Sequence, residues 1–128
     1  RWVVNPTRRI RECLRDLHPQ VPVIGFPRGA GPAAVWYVSE TGVDGIGVDT
    51  ATPPFVMKEA FEDEDVVVQG NLDPLLLVVG GTQMDERVDE IVSLMSGERF
   101  IFNLGHGIVP QTPPENVARL VERVRKGT

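Results

Sequence analysis

The chain has 128 residues, 41% of them hydrophobic, and its thirteen lysines and arginines against eighteen aspartates and glutamates give a formal net charge of −5. This composition predicts a globular protein without the positive field that nucleic acid or an anionic membrane surface would attract. One cysteine, Cys13, excludes an internal disulfide, and no apolar run approaches the length of a membrane span. We therefore expect a soluble, cytoplasmic protein, and the missing initiator methionine leads us to treat it as a fragment.

Four short segments rich in Val, Ile and Phe, each bounded by Gly, Pro, Asp or Asn, carry the signal of β-strands. Helix signals precede the first segment and follow each of the four. The predicted strands lie at 21–26, 44–50, 65–71 and 99–105. The predicted helices are, in chain order, one from Asn5 that ends by Pro19, one at 32–41 before Gly42, one capped by Thr52, one from Thr82 to Gly97 and a final helix. At most a helical turn is predicted directly after Asn71.

The last two helices carry recognisable caps in the sequence. Thr82 with Asp85 resembles a capping box. Thr112 is the predicted cap of the final helix, with Pro113 at its first position, Glu115 as the capping-box partner and Gly127 after its end. Their periodicity predicts which apolar side chains are buried. These are Met84, Val88, Ile91, Val92 and Met95 on the first of the two helices, and Val117, Leu120, Val121 and Val124 on the second.

Regular alternation of strands and helices predicts an α/β fold with a parallel sheet. Two architectures use such units, an open doubly wound sheet and a closed eight-stranded barrel. Gly25, Gly29 and Gly31 follow the first strand but lack the spacing of a nucleotide-binding loop. If the sheet belongs to a barrel, its four strands are half of it.

His106 is the sharpest candidate for a functional residue, because it lies between Gly105 and Gly107 directly after the last predicted strand. Parallel α/β enzymes build their sites at this end of their strands. The flanking glycines open backbone angles that other residues avoid, and an imidazole can hydrogen-bond a carboxylate or move a proton. From the residues alone, a ligand-binding histidine and a loop histidine that bonds a neighbouring carbonyl are equally compatible.

Other polar residues at strand ends have simpler interpretations. Asp73 precedes a proline, which favours a helix cap, and Arg28 beside two glycines favours a solvated surface over an anion site. His18 follows the first helix, where the helix dipole favours it. Asp49 stays undecided between acid–base or metal chemistry and a structural role.

The segment QGNLDP at 69–74, followed by FNLGHGIVPQTPPENV at 102–117, strongly resembles the C-terminal third of uroporphyrinogen decarboxylases. VPVIGFPRGAG at 21–31 and GVDGIGVDT at 42–50 add to the resemblance. It implies the C-terminal half of a (β/α)8 barrel, with four parallel βα units preceded by one helix and residues 1–128 as a single partial domain.

The resemblance also implies a chemistry. Such enzymes convert the four acetate side chains of uroporphyrinogen III to methyl groups, giving coproporphyrinogen III, and they use neither metal nor cofactor because the pyrrole accepts the electrons. It assigns His106 to substrate binding, with Gly105, Gly107 and Asn103 as its supporting loop. It assigns no certain catalytic residue to this chain, since the family's arginine, aspartate, tyrosine and serine groups lie elsewhere. The expected partners are the tetrapyrrole and a second copy, and the isolated chain should be inactive.

Two alternatives remain open. The corrinoid and coenzyme M methyltransferases share the Thr-Pro-x-x-Asn segment at 112–116, but they bind zinc with a cysteine near the position of His106, where this chain has none. The second alternative is a non-catalytic remnant of the fold that serves as an interaction module. Half of a barrel would also leave apolar surface exposed, which predicts self-association.

Overall fold

The computed structural model describes residues 1–127, so Thr128 of the predicted range lies outside the described residues. Within these residues, five helices and four strands alternate as the sequence predicts, and a sixth, short helix follows the third strand. The elements are α1 Val4–Leu17, β1 Ile24–Gly25, α2 Ala33–Thr41, β2 Gly45–Gly47, α3 Pro54–Phe61, β3 Val67–Leu72, α4 Pro74–Val79, α5 Gly81–Leu94, β4 Phe100–Leu104 and α6 Pro114–Gly127.

The four strands form one parallel sheet in the order β1-β2-β3-β4, which confirms the predicted α/β class and strand direction. Gly25 pairs with Ile46, Gly47 with Gln69, and Asn71 with Asn103. Strands β1 and β2 contain only two and three residues, shorter than the predicted runs. Consecutive parallel strands require a crossover between each pair, and the intervening helices supply it.

The helices bury one face of the sheet. One cluster joins Ile46 and Val68 of the sheet to helical side chains such as Met57, and a second surrounds Leu72 with residues of α4, α5 and α6. Phe100 packs against both clusters and so connects them. Burial of this face is the main source of stability that the sequence pattern predicts.

The other face of the sheet is uncovered. Ile24, Phe26 and Ile101 lie on it with 45%, 47% and 42% of their surface exposed. The Phe26 ring packs against Gly47, where an added Cβ atom would lie 2.8 Å from the ring. The apolar character of the strands is therefore satisfied on one side only.

Several predicted helix starts are wrong. Helix α1 begins at Val4, before Asn5, and its Ile10 and Leu17 are exposed. Helix α5 begins at Gly81 without a side-chain cap, because Asp85 instead pairs with Arg119. The segment after Asn71, predicted as one turn at most, forms the six-residue helix α4.

The final helix also starts differently from its prediction. It begins at Pro114 rather than Pro113, and the buried Thr112 hydroxyl has no hydrogen-bond partner, so Thr112 is not a side-chain cap. Leu120 is buried as predicted, whereas Val121 is 41% exposed. Gly127, expected to follow the helix, is its last residue.

Other predicted ends are confirmed. Asp73 Oδ1 accepts a hydrogen bond from Leu75 N at 2.8 Å, so Asp73 caps α4 with Pro74 as its first residue. Gly42 ends α2 with a φ of 64°, a left-handed angle that glycine adopts without strain. Within residues 1–127, no helix is both long and apolar enough to cross a membrane.

Candidate functional site

Because the strands are parallel, the loops that follow β1, β2, β3 and β4 meet at one edge of the sheet. His106 lies in the last of these loops, two residues after β4. Its side chain is exposed and makes no hydrogen bond or ion pair within residues 1–127. The structure thus brings an uncommitted imidazole to the edge where parallel α/β enzymes hold their substrates.

His106 borders a hollow of about 430 Å³ on the uncovered face of the sheet. Its lining combines the Phe26 ring and Ile108 with the amides of Gln69 and Asn103. A volume of this size is typical of small-molecule sites, and so is a mostly apolar lining with a few polar groups. The Asn103 side chain also accepts a hydrogen bond from Leu104 N at 2.8 Å, which fixes its amide at the end of β4.

The two glycines beside His106 have different roles from the predicted one. Neither has a positive φ. Gly105 is buried, and a Cβ atom there would lie 2.6 Å from Thr50 N, whereas a Cβ on Gly107 would meet nothing within 4 Å. The absence of a side chain at Gly105 therefore makes room for the loop that contains Thr50. The space next to Gly107, on the solvent side of His106, is open.

The two strand-end aspartates are not brought together as an acid–base pair. Asp73 caps α4, and Asp49 accepts hydrogen bonds from Gly29 N at 2.6 Å and from Ala51 N at 3.0 Å. Each carboxylate is thus used by the backbone near it. Arg28 is exposed and its guanidinium has no partner within residues 1–127, as the solvated interpretation predicts.

Sequence reasoning missed the importance of Asn71. Its side chain is buried, and its Nδ2 donates to Asp49 O at 3.0 Å and to Thr52 O at 2.6 Å, while Oδ1 has no partner. Asn116 was also overlooked: its Nδ2 donates to Leu77 O and Val78 O and so fastens α6 to α4. Both residues lie inside the motifs quoted for the resemblance, which was the available signal.

The markers of the methyltransferase alternative do not converge here. Cys13 is exposed on α1, far along the chain from the strand ends. Within residues 1–127, no three side chains of His, Cys, Asp or Glu are grouped so that they could hold a metal ion.

A parallel sheet with helices on one face, and an exposed histidine beyond the carboxyl end of its last strand, defines a protein of the parallel α/β class. Comparison with known proteins gives the family. The model of the family described as "Uroporphyrinogen decarboxylase (URO-D)" matches residues 1–127, and the chain belongs to this family.

Curated relatives agree with the family assignment. The chain is 51% identical to the uroporphyrinogen decarboxylase of Rhodospirillum rubrum over 125 residues, which is 98% of this chain and 36% of that protein. It is also 51% identical to the protein of the same name from Granulibacter bethesdensis and 48% identical to that of Sphingopyxis alaskensis, again over 98% of this chain and 36% of each relative. The chain therefore spans about 36% of the length of these relatives.

Proposed function

We propose that this chain is the C-terminal part of a uroporphyrinogen decarboxylase, in which His106 binds the substrate at the rim of a barrel. The observation that carries the proposal is the imidazole of His106, which has no partner within residues 1–127 and lies beside an open, mostly apolar hollow. The sequence of the chain is 51% identical to that of a curated decarboxylase over 98% of its length. Gly105, Gly107 and Asn103 form the loop that holds the histidine.

The half-barrel part of the proposal is supported by the order of the strands. A doubly wound sheet reverses its strand order at a switch point, whereas here the order follows the chain without reversal. A barrel requires this order, with helices outside and a side-chain-filled interior. The uncovered face with Ile24, Phe26 and Ile101 is then the barrel interior, and residues 1–128 form one partial domain.

In the proposed reaction, the pyrrole ring itself accepts the electrons of the bond that breaks. Protonation of a pyrrole ring carbon creates a cation, and the bond between the acetate methylene and its carboxylate breaks with its electron pair moving into the ring. Carbon dioxide leaves, a proton adds to the methylene carbon, and loss of the ring proton restores the pyrrole. Each decarboxylation consumes one proton overall and needs no external oxidant, reductant or cofactor.

His106 contributes to this reaction through binding. An imidazole N–H donates a hydrogen bond to a substrate carboxylate, and such charge-assisted bonds are stronger than neutral ones. The open side next to Gly107 admits a large ring, and the Phe26 and Ile108 side chains contact its apolar surface. The groups that donate and accept protons come from the remainder of a complete decarboxylase, so we expect this chain alone to be inactive. We also predict that the complete protein is a homodimer in the cytoplasm.

The proposal is tested in a hybrid protein. The segment of the Rhodospirillum rubrum decarboxylase that matches this chain is exchanged for residues 1–127, which are 51% identical to it over 125 residues. We expect the hybrid to convert uroporphyrinogen to coproporphyrinogen. His106→Ala in the hybrid should raise KM by about tenfold or more, because it removes one hydrogen bond to a charged group.

The other histidine provides the matched control. His18 lies at the C-terminal end of α1, away from the hollow, so His18→Ala should leave KM and kcat unchanged. A hybrid that is folded by circular dichroism but does not decarboxylate uroporphyrinogen would contradict the proposed activity. Unchanged KM and kcat in His106→Ala would contradict the proposed role of the histidine.

A further inference from the structure

We propose that Asp49 is a positioning residue that connects the loops after β1, β2 and β4 and the end of strand β3 at the carboxyl edge of the sheet, and thereby fixes the loop of His106. The residue follows β2 and is half-buried. Its side chain and its main chain each contact other loops of this edge. These contacts, rather than acid–base or metal chemistry, account for a carboxylate at this position.

The carboxylate holds the loop after β1. Asp49 Oδ2 accepts a hydrogen bond from Gly29 N at 2.6 Å, and Oδ1 accepts one from Ala51 N at 3.0 Å in the loop of Asp49 itself. Gly29 has a φ of 73°, so its amide is presented by a left-handed turn directly beside Arg28. Hydrogen bonds to a carboxylate are short and strong, which suits a loop whose own side chains make no hydrogen bond within residues 1–127.

The main chain of Asp49 contacts strand β3 and the loop after β4. Its carbonyl oxygen accepts a hydrogen bond from the buried Asn71 side chain at 3.0 Å. The peptide between Asp49 and Thr50 packs on Gly105, where an added Cβ atom would lie 2.9 Å from Asp49 C and 2.6 Å from Thr50 N. Gly105 N in turn donates to Leu72 O at 2.8 Å, so a shift of Asp49 displaces the residue next to His106.

The competing interpretation gives Asp49 a chemical role of its own. A general acid or base must reach the reacting group. Asp49 is absent from the lining of the hollow, which includes its neighbours Gly47 and Val48, and both of its carboxylate oxygens already accept backbone hydrogen bonds. The geometry therefore favours support of other residues over direct chemistry.

The meaning of this inference for substrate binding rests on the proposed function, but the coupling between loops does not. Its test is accordingly made on the full chain by nuclear magnetic resonance, without substrate and without an activity measurement. Failure of the decarboxylase assay would leave the result of this test unaffected.

The experiment compares Asp49→Ala, Asp49→Asn and a matched control, Asp44→Ala. Asp44 is an aspartate at the opposite end of β2 whose Oδ2 also accepts a backbone hydrogen bond, from Val23 N at 2.8 Å just before β1, and whose Oδ1 pairs with Arg11 at 3.2 Å. In Asp49→Ala we expect the Gly29 amide to exchange with solvent at least about tenfold faster, the effect of losing one hydrogen bond to a carboxylate. The Gly105 amide and the His106 ring signals should shift as well.

Asp49→Asn retains one amide oxygen as acceptor, so it should restore part of the wild-type positions of the Gly105 and His106 signals. Asp44→Ala should alter Val23 and leave Gly105 and His106 in place. The proposal is overturned if Asp49→Ala changes Gly29 but not His106, or if Asp44→Ala moves His106 equally. If Asp49→Ala does not fold, Asp49→Asn is compared with Asp44→Asn, and equal changes at His106 overturn the proposal.

Discussion

Gly105 is a residue whose importance comes from a neighbour more than fifty positions away in the chain. A Cβ atom there would lie 2.6 Å from Thr50 N and 2.8 Å from the Thr50 methyl group. We predict that Gly105→Ala destabilises the chain by about 1–3 kcal/mol, as overpacking of a filled site does. Urea denaturation monitored by circular dichroism measures the change.

Gly107→Ala is the control for this prediction, because a Cβ atom on Gly107 meets nothing within 4 Å and its φ is not positive. Its effect should stay within about 0.5 kcal/mol, as for ordinary surface substitutions. Equal destabilisation by the two substitutions would mean that flexibility of the Gly-His-Gly loop, rather than the contact with Thr50, makes the glycine necessary.

These residues also mark the limit of prediction from sequence. The position of His106 could be predicted from local pattern alone, because the apolar run of the last strand ends at the Gly-His-Gly sequence and so places the histidine in the loop after it. The reason for Gly105 does not, because the contact with Thr50 depends on how two loops meet in space. Thr112 also shows that local pattern is not sufficient. Its position before Pro113 and Glu115 fits a helix cap, yet its buried hydroxyl has no hydrogen-bond partner in the structure.

At the scale of the elements, α5 and α6 are joined by an ion-pair cluster. Arg119 Nε donates to Asp85 Oδ1 at 3.0 Å, Arg123 Nη1 donates to Asp85 Oδ2 at 3.4 Å, and Arg123 also pairs with Asp89. The hydrogen bond from Arg119 is the main cause that lowers the pKa of Asp85, and that from Arg123 lowers the pKa of Asp89. The same pairs raise the pKa of both arginines.

The lowered pKa values predict how stability depends on pH. A carboxylate with a depressed pKa in the folded state stabilises the fold above its unfolded pKa, about 3.9 for aspartate, and this contribution is lost as pH falls through the folded value. We predict that Asp85→Asn lowers Tm at pH 7, and that the difference from the wild-type chain shrinks on acidification below about pH 4. Thermal unfolding at pH 7 and pH 3 measures it.

Asp65 supplies the comparison for that experiment, because it pairs with Arg99 but its side chain is 95% exposed. Asp65→Asn should change Tm little at either pH, since exposed ion pairs contribute little to stability. A Tm difference for Asp85→Asn that is the same at pH 7 and pH 3 would contradict the assignment of its effect to the ionised carboxylate.

Element order and strand direction could be predicted from the alternation of strands and helices, and the core face of α5 from its periodicity, because burial of one helix face imposes that periodicity. The buried residues Met84, Val88 and Ile91 of α5 illustrate this agreement. Helix starts were predicted less well, since tertiary contacts competed for the capping side chains. Asp85 is the clearest case: its spacing fits a capping box, but two arginines of another helix bind it.

For the whole molecule, the sheet has two open edges and one uncovered apolar face. Strands β1 and β4 each have a neighbour on one side only, and Ile24, Phe26 and Ile101 are 42–47% exposed. Unpaired edges and contiguous exposed apolar surface promote association between molecules. We predict that the chain forms assemblies larger than its 14.1 kDa, seen by sedimentation velocity as a mass that rises with concentration.

Two charge substitutions test whether the uncovered sheet face drives this association. Ile101 on β4 and Val121 on α6 are 42% and 41% exposed, so lysine is accommodated equally well at both positions. Ile101→Lys places a charge on the sheet face, a device by which natural sheets resist pairing, and it should shift the chain toward monomer. Val121→Lys should leave the association unchanged. A wild-type chain that stays monomeric at all concentrations would contradict the half-barrel proposal, because half of a barrel cannot cover its own interior face.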